Sequence, residues 1–451
     1  MHSYIFREYD IRGVVDTDLT DDVVRDIGRG FGTYVRRHGG RSISLGGDVR
    51  LSTERFRKLL TEGATSTGLN VVDVGVVPTP VLYFSLYALP VDGSVMITGS
   101  HNPPDMNGFK LNLGKDSVYG EEIQRIREII ERSDFENGEG EVTSAKVIDT
   151  YKDEIRKRIS IERPLKVVAD CGNGCASLVA ADLLTSIGCE VTPLFCEPDG
   201  TFPNHHPDPT VMEYITDLIA AVKEKGADIG IGYDGDADRV GVVDEHGEVV
   251  FADKMLALLA REVLADGPAE IIFDVKCSQA LVEDIEAHGG RPLMWKTGHS
   301  LLKKKMKETG APIGGEMSGH MVLAKGYYNI DDAIYASCRI LQMLSRSDKP
   351  LSAMVDTIPK YYSTPEIRGE TSDDATKFDI VQKAVDYFSK NYDVIDVDGV
   401  RILFGDGWGL VRASNTQPVI VMRFEARTPE RLSEIQQTVM NKLREFGDID
   451  I

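Results

Sequence analysis

The sequence predicts an α/β protein, a run of similar α/β units followed by a smaller α+β domain. Three observations carry this expectation. Strand and helix patterns alternate from the N-terminus to about residue 361, the rhythm of stacked βαβ units. Three short segments echo one another: Gly93-Ser94-Val95-Met96-Ile97, Gly226-Ala227-Asp228-Ile229-Gly230 and Gly310-Ala311-Pro312-Ile313-Gly314. Each precedes a loop rich in polar chemistry, which suggests one structural unit used three times. After residue 361 the pattern changes to a helix, several short strands and a closing helix. The 451 residues are enough for three or four domains of ~100–150 residues each. The expected domains are 1–145, 146–248, 249–361 and 362–451.

Taken in order, Val23, Val24, Ile27, Phe31 and Tyr34 recur at helical spacing after Thr20 and predict a helix beginning there. A helix from about Ser52 to Gly68 leads into a buried strand over 70–77. The apolar run Val95-Met96-Ile97 is a buried strand. A strand over 165–169, a helix over 176–187 closed by Gly188, and a strand over 190–195 follow. The alternation continues through a strand at 271–275, a helix at 280–287, a strand at 292–295 and a helix at 301–307. Strands are expected at 394–397, 400–404, 409–412 and 419–426, with the last helix starting at Glu430.

Composition narrows the function classes. A formal net charge of −21 argues against nucleic acid or an anionic membrane as partner, because both are polyanions. It leaves room for a small anionic substrate held by a local cluster of Arg and Lys. No apolar run approaches the ~20 residues of a membrane span. The segment 1–12 has mixed charge and lacks the apolar core of a signal peptide, so a cytoplasmic protein is expected. Cys171 and Cys175 could be half of a metal site, but no second pair has zinc spacing, and the six cysteines are expected to be free buried thiols.

The chemistry lies at strand ends. Thr98-Gly99-Ser100-His101-Asn102-Pro103 leaves a buried strand and presents a serine beside a base, an amide and a turn-forming proline. A hydrolase serine would sit in Gly-x-Ser-x-Gly, which this segment does not match. Asp234-Gly235-Asp236-Ala237-Asp238-Arg239 places three carboxylates at alternate positions. In an extended strand they would span ~13 Å, so the segment must curl to share one ion, and Gly235 and Ala237 are small enough to allow it. Oxygen ligands of this kind suit Mg²⁺ or Mn²⁺. Asp234, Asp236, Asp238 and Glu245 also fit an EF-hand loop, but Arg239 replaces the required glycine and the flanks are strand-like. Gly230, Gly232 and Gly235 fit a dinucleotide fingerprint, but carboxylates follow where a pyrophosphate would lie, and no helix does. Glu316 and Ser318, flanked by glycines, suit vicinal sugar hydroxyls. Arg412, Ser414, Asn415 and Thr416 suit a phosphate. Together a nucleophilic serine, a metal loop and a hydroxyl-reading loop suggest phosphoryl transfer on a sugar. Three aspartates and a phosphoserine carry a charge of about −5, which Mg²⁺ reduces to about −3. Arg239, Lys110 and Arg12 are the candidate cations that balance the rest.

These four segments, in this order and spacing, resemble the α-D-phosphohexomutases. Segment 98–103 resembles the family's phosphoserine loop, 234–239 its metal loop, 315–320 its sugar loop and 412–418 its phosphate loop. Tyr9-Asp10-Ile11-Arg12-Gly13 is similar to the N-terminal active-site segment, Asn107-Gly108-Phe109-Lys110 to the lysine segment after the serine, and Lys296-Thr297-Gly298-His299-Ser300 to the segment facing the sugar. The bacterial and archaeal phosphomannomutase/phosphoglucomutase branch is most similar. Ala237 departs from the family's commonest glycine. The resemblance implies three similar α/β domains with mixed sheets and a smaller α+β domain around a central cleft.

It also implies the activity. A phosphate on Ser100 would pass to a hexose monophosphate through a hexose 1,6-bisphosphate, and Ser100, Asp234, Asp236 and Asp238 would hold Mg²⁺. Ser100, His101, Lys110, Arg12 and Arg239 would be the catalytic set. Tyr9, Lys296, His299, Glu316, Ser318, His320, Arg412, Ser414, Asn415 and Thr416 would bind the phosphosugar. The alternatives are a phosphoglucosamine mutase, and a non-enzymatic Ca²⁺-binding or sugar-phosphate-binding protein.

Overall fold

The strand of residues 93–97 is the pivot of the first sheet. In the computed structural model, which describes residues 2–414, 419–447 and 449–450, the chain falls into two compact units. The first comprises Met1–Ala252 and Ser318–Ala353, the second Asp253–Met317 and Met354–Ile451.

The first unit holds two mixed sheets. One has seven strands, in the order Ile11–Val14, Met106–Leu113, Gly93–Ile97, Ser42–Gly47, Asn70–Val76, Val142–Ser144, with Asp116–Ser117 beside Met106–Leu113. Gly93–Ile97 runs parallel to Ser42–Gly47 and antiparallel to Met106–Leu113. Its five residues are all buried, as their apolar character predicts. Helix Asp21–Arg37 starts at Thr20, whose side chain accepts the Val23 N–H at 3.4 Å. It packs against helix Thr53–Thr65 at close range. A Cβ on Gly63 would lie 2.1 Å from Arg25 O, and one on Gly28 2.5 Å from Leu60 O.

The second sheet runs Val249–Val250, Val240–Asp244, Ile229–Tyr233, Lys166–Asp170, Glu190–Leu194. Ile229–Tyr233 is parallel to Lys166–Asp170 and forms an antiparallel hairpin with Val240–Asp244, closed by the pair Tyr233 and Val240. The expected helix over 176–187 is broken: a 3₁₀ turn Cys175–Leu178 is followed by helix Ala180–Ser186, with Val179 between them at φ −138°. The first turn is tied elsewhere, because Cys175 N–H donates to Gly235 O at 2.9 Å. The strand expected to be buried over 70–77 is Asn70–Val76, with both ends exposed and only Val71 and Val74 buried. It lies next to the short edge strand Val142–Ser144, which covers only part of its length.

In the second unit, Arg291–Trp295, Glu270–Asp274 and Ile313–Gly315 are parallel neighbours in that order. Helices Gln279–Ala287 and His299–Thr309 provide the alternation. The C-terminal part is an antiparallel six-stranded sheet in which Gly407–Ala413 pairs with both Val400–Leu403 and Val419–Ala426. Helices Asp374–Asn391 and Pro429–Phe446 pack onto it around Ile402, Val411, Phe424, Ile435 and Val439. All six cysteines are free, and Cys196 alone is only partly buried. Among the described residues, no helix is long and apolar enough to cross a membrane.

Candidate functional site

The hairpin loop 234–239 resolves the spacing of the aspartates. Six residues join two paired strands, so the backbone turns back on itself and the three side chains converge. Asp234, Asp236 and Asp238 have no exposed surface, and one carboxylate oxygen from each lies within 4.8 Å of the others. Asp234 Oδ1 stitches the turn by accepting Asp238 N–H and Arg239 N–H, both at 3.0 Å. Ala237 sits in the left-handed region at φ +62°, where glycine is the easier residue, and its N–H donates to Asp234 O at 3.1 Å. No helix flanks the loop, so neither the EF-hand nor the dinucleotide reading fits.

Ser100 meets this loop. Its backbone is also left-handed, at φ +49°, and its N–H donates to Thr98 Oγ1 at 2.8 Å. Ser100 Oγ donates to Asp234 Oδ2 at 2.9 Å and lies 3.0 Å from His101 Nδ1. Burial, then the charges of Arg239 and Arg12, push the His101 imidazole well below its ordinary range. Asp236 Oδ2 accepts from Thr79 Oγ1 at 2.7 Å, Thr98 Oγ1 at 3.1 Å and Lys110 Nζ at 2.7 Å. Lys110 Nζ also pairs with Asp238. Burial alone would lower the Lys110 ammonium, but Asp236 and Asp238 outweigh it and hold the group well above its usual range. Asp234 is pushed well up by burial and by repulsion from Asp236 and Asp238.

Strand pairing places Arg12 here. Arg12 stands opposite Gly108 in an antiparallel ladder, so Arg12 and Lys110 project from the same face. Arg12 Nε is held by Asp10 at 2.6 Å. Tyr9 is half-buried in the bend before that strand. Segment 318–320 packs on the hairpin. Val240 N–H donates to Gly319 O at 3.2 Å, and Gly319 has no space for a Cβ, which would lie 2.7 Å from Val240 O. His320 Nε2 is 3.0 Å from Asp238 Oδ1 and its Nδ1 3.3 Å from Ser318 Oγ. Arg239 Nε lies 3.3 Å from the same Nε2. His320 therefore faces the carboxylate cluster. Ser100, His101, Lys110, Arg12, Arg239, the three aspartates, Ser318 and His320 all belong to the first unit.

The second unit holds Lys296, His299, Glu316, Arg412 and Ser414. Lys296 is exposed and His299 buried. Glu316 accepts the Gly298 N–H at 2.5 Å. Arg412 Nε donates to Asp398 Oδ2 at 2.9 Å, and the same oxygen accepts Thr297 N–H at 3.0 Å. Ser414 O accepts from the buried Lys377 Nζ at 2.7 Å. Asp398 and Lys377 were not anticipated, because each acts through a strand or helix distant in sequence. Asn415 and Thr416 lie outside the described residues.

The carboxylate cluster fits a hard divalent cation. Three buried carboxylates face one ammonium, and Asp236 Oδ1 is buried with no hydrogen-bond partner, an outcome that burial of a charged oxygen disfavours. A serine hydroxyl held against such a cluster is suited to carrying a phosphoryl group.

Comparison with known proteins places this arrangement. Phosphoglucomutase/phosphomannomutase domains match in series: alpha/beta/alpha domain I over 3–137, domain II over 149–247, domain III over 251–362, and the C-terminal domain over 366–442. A phosphomannomutase/phosphoglucomutase of Pseudomonas aeruginosa is 46% identical over 444 residues, covering 98% of this chain and 95% of the relative. A phosphoglucomutase of Neisseria gonorrhoeae is 44% identical over 437 residues, covering 96% and 95%. The crystal structure of a phosphoglucomutase/phosphomannomutase family protein from Burkholderia thailandensis superposes with a TM-score of 0.94 at 42% identity, with both chains fully covered. Four successive domain matches and near-full-length identity of this order mean that the chain belongs to the phosphoglucomutase/phosphomannomutase family, and is thus a phosphohexomutase, an isomerase that transfers a phosphoryl group within its substrate.

Proposed function

We propose that this phosphohexomutase interconverts hexose 1-phosphate and hexose 6-phosphate, with mannose or glucose as the sugar, by way of a phosphate carried on Ser100 and a hexose 1,6-bisphosphate. The observation that carries this reading is Ser100 Oγ at 2.9 Å from Asp234 Oδ2, at the edge of the buried three-carboxylate cluster. Asp234, Asp236 and Asp238, with the Ser100 oxygen, would hold Mg²⁺, which supplies charge neutralisation for the transferring group when bound. Lys110 and Arg12, on neighbouring strands, project from one face of the sheet beside the carboxylates and would stabilise phosphate charge. Arg239 and His101 complete the catalytic set, His101 by its contact with Ser100 Oγ. Glu316 and Ser318 would read O3 and O4, whose stereochemistry glucose and mannose share. Tyr9, Lys296, His299 and His320 would line the sugar, and Arg412, Ser414, Asn415 and Thr416 would hold the phosphate that is not reacting. The division into domains 1–145, 146–248, 249–361 and 362–451 is supported by the four successive family matches. Six free thiols support a reducing compartment, hence the cytoplasm.

The test joins intact mass to a substrate panel. Purified protein, or protein exposed to glucose 1,6-bisphosphate, should gain one phosphate on Ser100 and turn over mannose 1-phosphate and glucose 1-phosphate. A preference for glucosamine 1-phosphate would reassign the sugar. Absence of phosphate on Ser100 under all conditions would remove the phosphoserine mechanism.

A further inference from the structure

Arg50 lies beneath the Ser100 loop and is used by none of the chemistry above. It follows strand Ser42–Gly47 and is 2% exposed. Its guanidinium donates to four carbonyls of one loop. Nη2 reaches Ser100 O at 2.9 Å and Asn102 O at 2.5 Å; Nη1 reaches Pro103 O at 2.5 Å and Met106 O at 2.9 Å. Asp48 closes the arrangement from behind. Its Oδ2 lies 3.2 Å from Arg50 Nε and accepts Gly99 N–H at 3.0 Å. Its Oδ1 accepts Arg50 N–H at 3.0 Å and Thr53 Oγ1–H at 2.7 Å. The loop lies directly on the guanidinium, since a Cβ on Gly99 would fall 2.4 Å from Arg50 Cζ. The Phe202 ring centroid lies 5.2 Å from the same carbon.

Backbone carbonyls turned inward need donors, and here four, one of them on the buried Ser100, turn toward one buried guanidinium. Among side chains only a guanidinium offers several N–H groups in a fixed planar fork; a lysine ammonium at this place could satisfy fewer of them. The loop also contains the left-handed Ser100, a conformation that persists only where its surroundings fix it. Arg50 binds the carbonyl of that residue. Asp48 binds the amide of the residue before it.

We infer that Arg50, backed by Asp48, is a positioning residue for phosphoryl transfer: its guanidinium holds the backbone of 99–106 so that Ser100 Oγ remains beside Asp234. It touches no reacting atom and acts through Ser100, so the inference rests on the reading of Ser100 as the phosphate carrier. Its loss should slow the transfer of phosphate to and from Ser100 and leave the grip on the non-reacting phosphate unchanged. A displacement of about 1 Å at the reacting atom costs about 100-fold in rate.

The experiment compares Arg50→Lys, Arg50→Ala and Gly99→Ala with the wild type. Three quantities are read: phosphorylation of Ser100 by glucose 1,6-bisphosphate followed by intact mass, kcat and KM for glucose 1-phosphate, and amide exchange peptide by peptide. Arg50→Ala should lower kcat and the phosphorylation rate about 100-fold, and Arg50→Lys by an intermediate factor, with KM within about threefold of wild type. Gly99→Ala, which displaces the guanidinium while keeping it, should reproduce the loss. Faster exchange should be confined to peptides covering 99–106. If Arg50→Ala does not fold, Arg50→Lys decides. Wild-type kcat in Arg50→Lys together with unchanged exchange over 99–106 would overturn the proposal, as would exchange raised evenly across the first unit. If the wild type itself never gains phosphate, the phosphoserine reading fails and this inference falls with it. If the wild type gains phosphate while the variants gain it equally fast, the positioning role alone fails.

Discussion

At the residue scale the site is a problem of concentrated charge. Three buried aspartates share a space in which one oxygen, Asp236 Oδ1, has no donor. EDTA should therefore stop turnover and Mg²⁺ restore it, with activity measured before and after addition. Asp236→Asn should mimic chelation at every Mg²⁺ concentration. Its melting temperature should move little, because losing the Lys110 pair is offset by relief of repulsion from Asp234 and Asp238. Full activity in metal-free buffer would contradict the assignment. Ser100→Ala removes the proposed carrier and should abolish turnover; near-normal activity with phosphate mapped to another residue would refute it. Both residues stand out in the sequence because their types and spacing suggest this chemistry directly. The left-handed backbone of Ser100 and Ala237 was not, since neither residue type signals it.

At the scale of single elements, hairpins and helix caps decide how those residues are aimed. The six-residue connection between Ile229–Tyr233 and Val240–Asp244 was legible as a curled loop, because extended carboxylates could not share an ion. Helix Ala333–Ser345 shows what local reading omits. Its cap, Asp332, accepts the Tyr335 N–H at 2.8 Å and the hydroxyls of Tyr151 at 2.8 Å and Tyr327 at 2.9 Å. Burial pushes this carboxyl up to about 6, despite those donors. The folded protein thus holds the Asp332 proton more tightly than the unfolded chain, whose carboxyl titrates near 3.8. That contribution to stability is complete below pH ~4 and is lost as pH rises through 6. Asp332→Asn keeps a capping oxygen and does not ionise. The variant should gain on the wild type between pH 5 and pH 8 by an amount on the order of 1.4 kcal/mol, the remainder of the effect lying below pH 5. Denaturant unfolding of both proteins at the two pH values measures it, and a pH-independent difference would show that Asp332 does not titrate in this range.

At the scale of the whole molecule, a net charge of −21 coexists with a cluster in the first unit that gathers Arg12, Lys110 and Arg239. Composition argued against polyanionic partners but could not say where Arg12, Lys110 and Arg239 gather. The proposed reaction presents its substrate in both orientations, with one phosphate at Ser100 and the other at the Arg412 loop. Arg412→Ala should then weaken the use of hexose 1-phosphate and hexose 6-phosphate alike. A charge-assisted, forked contact contributes about 1.5–3 kcal/mol, so kcat/KM should fall ~10- to 100-fold in both directions. Initial rates measured each way test this, and a loss in one direction only would contradict the shared use of the loop.

The sequence by itself determined the alternation of strands and helices, the change of pattern after residue 361 and the free thiols, and it singled out the candidate serine, metal, sugar and phosphate segments. These follow from side-chain period, turn chemistry and residue type, which are local. Only the tertiary structure decided that Arg12 shares a face with Lys110, because that depends on which strands pair and in what register. It likewise set His320 against Asp238, tied Asp398 to both Thr297 and Arg412, and placed Arg50 under four carbonyls of the Ser100 loop. The physical reason is the same in each case. A buried charge or carbonyl must find its partner through the packing of distant segments, and no pattern along the chain records which segment that will be.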